Sequence, residues 1–441
     1  MAHATELTRS LTRLNATAMV AGTIIGASIF VQPSEIARHL DSPAAIMLAW
    51  VACGVLTLFG AFICAELASA FPQTGGVYVF LREAFSPLAG FLWGWAMFWS
   101  VHSGIIAAIA VVFGRYAAVL MPADARTDLS VRLLAVGIIL LLSAVNYAGV
   151  RGGGRLQTTL TILKVAAIAA LVIAGFLVPG PVFHDGPNAL PAYGSLTPFV
   201  LAMVAGLFAF GGWHMVTYTA GETTMPARTI PVALVAGVLI VTGCYVALNL
   251  VYLRLLPLDA VRASTRIAAD AADVMFGRGG AQLLSVLVLL SAAGSLTGII
   301  LTGPRMYYSM ALDGLAPRAL TYVHPVHRTP SRAIVAQAIW ASILAGTGAY
   351  REIFTRVIYT EWLFFALMAA GLFVLRRRPG YAPPYRAWGY PAVPVVFIAV
   401  SLFIVAHQFT VDALEAAIGL GLVAMGVPVY YYLRHANHRL P

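Results

Sequence analysis

The chain has 441 residues, 60% of them hydrophobic and only 10% charged. Soluble domains carry roughly a quarter charged residues, so this composition excludes an ordinary soluble protein. The net charge of +10 would suit nucleic acid, but the arginines sit in short loops between apolar runs, where they orient a membrane protein.

Long apolar runs recur from one end to the other, which predicts a polytopic membrane protein. Lipid cannot satisfy backbone polar groups, and no ten-residue alternating barrel pattern occurs, so the runs are expected as helices. Twelve spans are expected, at about 13–35, 43–70, 87–120, 129–149, 156–178, 195–222, 231–255, 280–311, 331–348, 353–376, 392–410 and 413–434. Arg9 and Arg13 before the first run resemble a signal peptide, but no small-residue cleavage site follows, so the run reads as a retained helix. Placing the N-terminus in the cytoplasm puts Arg9, Arg13, Arg82, Arg151, Arg155 and Arg376 to Arg378 inside. This bias predicts a cell-membrane protein with both termini cytoplasmic, although the outer loop near 256–279 is more basic than the rule prefers.

Two spans are interrupted. The first holds "GTIIGASIF" from Gly22 to Phe30, and the sixth holds "LFAFGGW" from Leu207 to Trp213. Glycines there can be helix-packing positions. Their placement says more: each break opens one of two five-helix halves, and paired broken helices point to a midplane binding site between inverted repeats. The connectors "FPQTGGVYVFLREAFSP" and about 257–278 occupy matching places in the two halves, each long enough for a short helix. The expected fold is all-α, with a 5+5 inverted-repeat transport core over 1–390. Two further helices and a short tail follow over 391–441. Helices one and six are unwound mid-membrane.

A broken helix exposes N–H groups at the start of its second half and carbonyls at the end of its first. The N–H end suits a carboxylate and the carbonyl end an ammonium. Facing breaks therefore fit the zwitterionic head of an α-amino acid. Groups at Ile25, Gly26, Ala27, Ser28 and Ile29 are the carboxylate candidates. Carbonyls at Phe208, Ala209 and Phe210 are the ammonium candidates, with Gly211 in the same break.

The motifs "GTIIGASIFVQP", "SPAAIMLAWVACGVLTLFGAFICAEL", "GLFAFGGW" and "GSLTGIILTGPRMYYSMALDGLAP" resemble the amino acid–polyamine–organocation superfamily. Within it they look most like the L-type amino acid transporter branch and its bacterial relatives, through to "LRRRPG" and "YRAWGYPAVP". The resemblance implies the inverted-repeat fold first associated with sodium-coupled leucine transport. It also implies a substrate site on spans one and six with help from three, eight and ten. The chain departs from the pattern at Ala27–Ser28 in a usual Gly-Ser-Gly-Ile-Phe motif, at Thr297 and at His214, where family members often have Asn. These departures leave side-chain preference open. The loop 121–130 has no Cys where animal members join a glycoprotein subunit, so no disulfide-linked partner is expected.

Lys164 is the only lysine, and it lies inside the apolar fifth span. It is nine residues beyond Arg155, roughly 13 Å along a helix axis, too deep for simple snorkelling. Gln157, Thr161 and Ala167 share its face at helical spacing, which suits a helix contact rather than lipid. The resemblance implies that its ammonium takes the place of a coupling cation, held by carbonyls near Gly22 and Ile25 and by the Ser295 hydroxyl. A sodium ion about 4 Å away would meet repulsion of order 4 kcal/mol at an effective dielectric near 20, so sodium independence is expected. Buried lysine can lose its proton, which permits proton symport; a lysine that stays charged is a fixed tie, as in an exchanger.

Among the other polar residues, Glu66 and Glu83 read as connector anchors, Glu222 as an interfacial anchor and His102 as a core histidine. His214 is a substrate-selection candidate, while Glu361 has no partner that the sequence identifies. Phe208 and Phe210 read equally as packing or as a gate. Cys53, Cys64 and Cys244 lie in apolar runs with no metal-ligand neighbours, so buried thiols are expected, with no metal site and no cofactor. No P-loop, zinc spacing or nucleophile elbow occurs, which argues against an enzyme and against direct ATP drive. The expected function is sodium-independent exchange of neutral L-amino acids by alternating access; proton symport through Lys164 is the alternative. A non-transporting sensor and a channel are the rival classes.

Overall fold

Thr12 opens the first helix. Its hydroxyl accepts from the Asn15 N–H, while the Asn15 side chain accepts from the Thr12 N–H, a reciprocal capping box. In the computed structural model, which describes residues 7–178, 196–277 and 280–438, this helix (α1, Arg13–Ile24) stops after three turns. A 3-10 turn, Ala27–Phe30, and a short helix (α2, Gln32–His39) continue it. The helix α3 (Pro43–Ala70) returns, and a short connector helix α4 (Val77–Ala84) follows. Next come α5 (Pro87–Ala96) and α6 (His102–Val119), joined through a π turn, then α7 (Asp128–Tyr147) and α8 (Val150–Leu177).

The chain then continues into a second run of helices. The helix α9 (Leu196–Ala209) breaks and continues as a 3-10 segment, Trp213–Glu222, before α10 (Pro226–Leu255). The short helices α11 (Leu258–Ala263) and α12 (Ile267–Phe276) occupy the second connector. Then come α13 (Gly280–Leu312), α14 (Ser331–Thr347), α15 (Tyr350–Arg376), α16 (Ala392–Val411), α17 (Ala413–Ala424) and α18 (Gly426–His438). Among the described residues there is no strand, only an isolated bridge between Leu11 and Thr223.

Among the described residues, ten helices are long and apolar enough to cross a bilayer, so this is a multi-pass membrane protein. The sequence led to an expectation of twelve. The two that fall short by length are the first, divided at Ile25–Gly26, and α14, whose 17 residues end at Thr347 and are capped by Gly348. Lipid-side residues such as Leu140, Leu141, Leu163 and Ile173 point outward, while the polar stripe of α8 (Gln157, Thr161, Lys164) is buried and continues through Ile168 rather than Ala167.

Close approach holds α1 in the centre. A Cβ at Gly22 would lie 2.1 Å from the Gln157 side chain and 2.2 Å from that of Thr161, both on α8. A Cβ at Gly237 of α10 would lie 2.5 Å from Val20. Small residues let these backbones meet where lipid supplies no hydrophobic drive.

Candidate functional site

The two chain breaks lie side by side. After α1, Ile25 (φ −69°, ψ 88°) and Gly26 (φ −109°, ψ −159°) leave helical geometry. After α9, Gly212 takes a left-handed φ of +95°, which favours glycine. The Tyr245 hydroxyl on α10 is 3.1 Å from both the Ile24 and Ala209 carbonyl oxygens. It has one proton and serves one carbonyl at a time. The Thr23 hydroxyl reaches the Gly212 carbonyl at 3.2 Å. Trp50 packs edge-on against Tyr245 at 5.5 Å, and Phe210 lies 5.1 Å from Tyr245.

The end of α1 carries orphan carbonyls, and Lys164 meets them. Its Nζ donates to Gly22 O at 2.7 Å and Ile25 O at 2.6 Å. The Ser295 hydroxyl lies 3.0 Å and 2.9 Å from the same two oxygens, and 3.4 Å from Nζ. Ser291 reaches Ile25 O and Gly26 O, each at 3.2 Å. A cation at the C-terminal end of a helix offsets its partial negative charge, and here it does so in a fully buried position.

A cavity of about 460 Å³ opens beside these breaks. Its wall includes Thr23, Gly26, Ala27 and Ser28 from the first segment and Phe208, Ala209, Phe210, Gly211 and Trp213 from the sixth. Ile105 and Ile109 of α6, Val288 of α13, and Ile358, Glu361 and Trp362 of α15 complete it. Val31, Gln32, Arg115 and Tyr116 form the rim. Of the substrate-site residues read from the sequence, Ile25, Ile29 and His214 are not in the wall. The Ile25 N–H is used by Ala21 O at 2.9 Å and its carbonyl by Lys164, and the Ile25 and Ile29 side chains are both wholly buried. His214 stands behind the wall, boxed by Trp93, Trp213, Tyr218 and Phe365 at 5.0 to 5.6 Å. Phe208 is 48% exposed, whereas Phe210 is packed on Trp50 and Tyr245.

Glu361 has the His214 imidazole beside it, 3.8 Å from its carboxyl oxygen to Nε2. His102 is fully buried, with its ring 5.8 Å from Tyr218.

The side facing the N-terminal segment is closed by ion pairs. Arg305 holds Glu222 through two bonds of 2.6 and 3.0 Å, both side chains fully buried. Ser10 and Leu11 donate backbone bonds to the Glu222 carbonyl at 2.8 and 2.9 Å. Arg376 and the Ala387 N–H hold Glu66. Arg82 and Tyr78 meet on Asp313, and burial first, then Asp313, raises the Tyr78 phenol above its ordinary value. Glu66 thus ties the end of α3 to the end of α15, while Glu222 is held bidentately by Arg305 with both side chains fully buried.

Arg305, Tyr245 and Arg115 were not singled out in the sequence. A charge inside an apolar run marks Arg305 as plainly as it marks Lys164. Tyr245 carries no such mark among the 18 tyrosines.

The amino acid permease family model matches residues 11–423. The chain belongs to the amino acid permease family. The serine/threonine exchanger SteT of Bacillus subtilis is 31% identical over 97% of this permease and 97% of its own length. The human cystine/glutamate transporter is 30% identical, covering 97% of the permease and 85% of the relative. The human large neutral amino acids transporter small subunit 2 is 28% identical, covering 98% and 82%. These relatives are transporters and exchangers, not enzymes.

Proposed function

We propose that this permease is a sodium-independent exchanger of neutral L-amino acids working by alternating access. The carrying observation is the Lys164 ammonium seated on the Gly22 and Ile25 carbonyls at the break of the first segment. A fixed cation there repels sodium and holds the break in shape, leaving substrate binding to main-chain groups. The carboxylate meets the Gly26 to Ser28 turn, and the ammonium meets carbonyls of Phe208 to Phe210. The cavity is reached past Val31 and Arg115, while the opposite side is closed by Glu222–Arg305, so access alternates when those ion pairs part.

The ten long helices, the broken first segment and α14 together make twelve crossings. The first ten form a 5+5 inverted-repeat core over 1–390, with both breaks at the bilayer midplane and two further helices over 391–441. The permease sits in the cell membrane with both termini cytoplasmic. The loop 121–130 carries no Cys, so the reading includes no disulfide-linked subunit.

The test is uptake of labelled alanine, leucine or phenylalanine into liposomes. Exchange requires internal amino acid and ignores sodium. Uptake that ignores internal substrate and follows a pH gradient would favour symport through Lys164 instead.

A further inference from the structure

Glu361 is the one carboxylate among the described residues of the cavity wall. It is only 6% exposed, and its Oε1 has no hydrogen-bond partner within the protein. Its titratable neighbour is His214, 3.8 Å away, whose Nδ1 and Nε2 are likewise buried without hydrogen-bond partners. Four aromatic rings fix the imidazole, so it cannot swing away. His214 follows Gly212 by two residues, which places the carboxyl beside the sixth-segment break.

A lone buried carboxylate is costly; the carboxyl avoids that cost either by being protonated beside a neutral imidazole or by facing an imidazolium 3.8 Å away. As an ion pair or as a neutral pair, the two together carry no net charge. The other titratable groups near the pair are His102 on α6, Tyr218 on the sixth segment, Tyr307 on α13 and Cys64 on α3. None of them supplies a fixed charge at neutral pH, and Arg115 stands apart at the exposed rim. A substrate ammonium beside this pair would find no net negative charge to meet it. A hydroxyl or amide would find an unused acceptor.

We propose that Glu361, backed by His214, is the specificity residue of this cavity and selects amino acids whose side chain carries an uncharged hydrogen-bond donor. The inference rests on the reading of the cavity as an amino acid site and narrows its substrate class. A site that offers an acceptor to a hydroxyl discriminates against the analogue that lacks it, because the buried acceptor is then left unpaired.

The experiment is competition against labelled alanine uptake in liposomes carrying the intact permease. The competitors are serine against alanine, threonine against its near-isostere valine, and 2,4-diaminobutyrate as a short cationic side chain. For the wild type, serine should outcompete alanine and threonine valine by about tenfold, with diaminobutyrate weakest. In Glu361→Leu both ratios should fall to about one while alanine still competes. Glu361→Gln keeps an acceptor oxygen and should keep most of the preference. Wild-type ratios near one overturn the proposal without any variant having to fold. So does a wild-type preference for diaminobutyrate, or an unchanged ratio in Glu361→Leu. Equal loss of alanine and serine in Glu361→Leu assigns the carboxylate to the α-ammonium and also overturns it. Competition by no amino acid at all overturns the transport reading, and this inference with it.

Discussion

The Lys164 ammonium lies 2.6 Å from the Ile25 carbonyl oxygen, across 139 residues of sequence, and ties α8 to the end of α1. Replacing it with methionine keeps the volume and removes the donors. Carbonyls at Gly22 and Ile25 would then depend on Ser295 and Ser291 alone. We expect Lys164→Met to fold with a loss of about 1–3 kcal/mol and to transport at least about tenfold more slowly. Uptake by the wild type should not change when sodium is exchanged for choline. Full activity in Lys164→Met would falsify the role given to this residue.

Glu222 and Arg305 form a bidentate pair with no exposure to solvent. Removing one partner leaves a buried charge, so Arg305→Met should cost about 3–5 kcal/mol. The double variant Glu222→Gln with Arg305→Met removes both charges and should recover much of that loss. Thermal unfolding in detergent reads both. A double variant no more stable than Arg305→Met would mean that the pair is not the source of the cost.

Tyr245 links the two breaks through one hydroxyl. Tyr245→Phe keeps the ring against Trp50 and Phe210 and removes the link to Ile24 O and Ala209 O. The expected loss is about 1 kcal/mol in stability, with a several-fold rise in KM. An unchanged KM would show that the two breaks keep their spacing without it.

Tyr78 donates to Asp313 where the connector helix α4 meets the end of α13, and its phenol titrates above the ordinary value because of burial and then Asp313. The folded protein therefore holds this proton more tightly than the unfolded chain does. Its stabilising effect is complete below the ordinary tyrosine value of about 10 and is lost as pH rises beyond it. Melting temperature should fall above that pH in the wild type and fall less steeply in Tyr78→Phe. Parallel profiles would rule this group out.

The breaks could be read from the sequence because glycine pairs inside apolar runs are local signals. Lys164 could be read because a charge among apolar residues is visible without any partner. The place of Ile25 could not: residues next to a break resemble one another in sequence, and only the backbone shows that its N–H is already used by Ala21 O. His214 read as a selecting residue by its place after the break, yet the aromatic box turns its ring behind the wall.

Composition and periodicity alone determined that this chain lies in a membrane as helices, because lipid leaves the backbone no other way to satisfy its polar groups. They also located the two breaks and the one lysine, since each departs from its own surroundings. Tertiary structure decided the pairings, Glu222 with Arg305, Glu361 with His214, and Tyr245 with two carbonyls at once. Those partners are 83, 147, 221 and 36 residues apart. No local pattern encodes contacts at such separations; they arise only when small residues let the helices pack closely enough to bring the groups within hydrogen-bond reach.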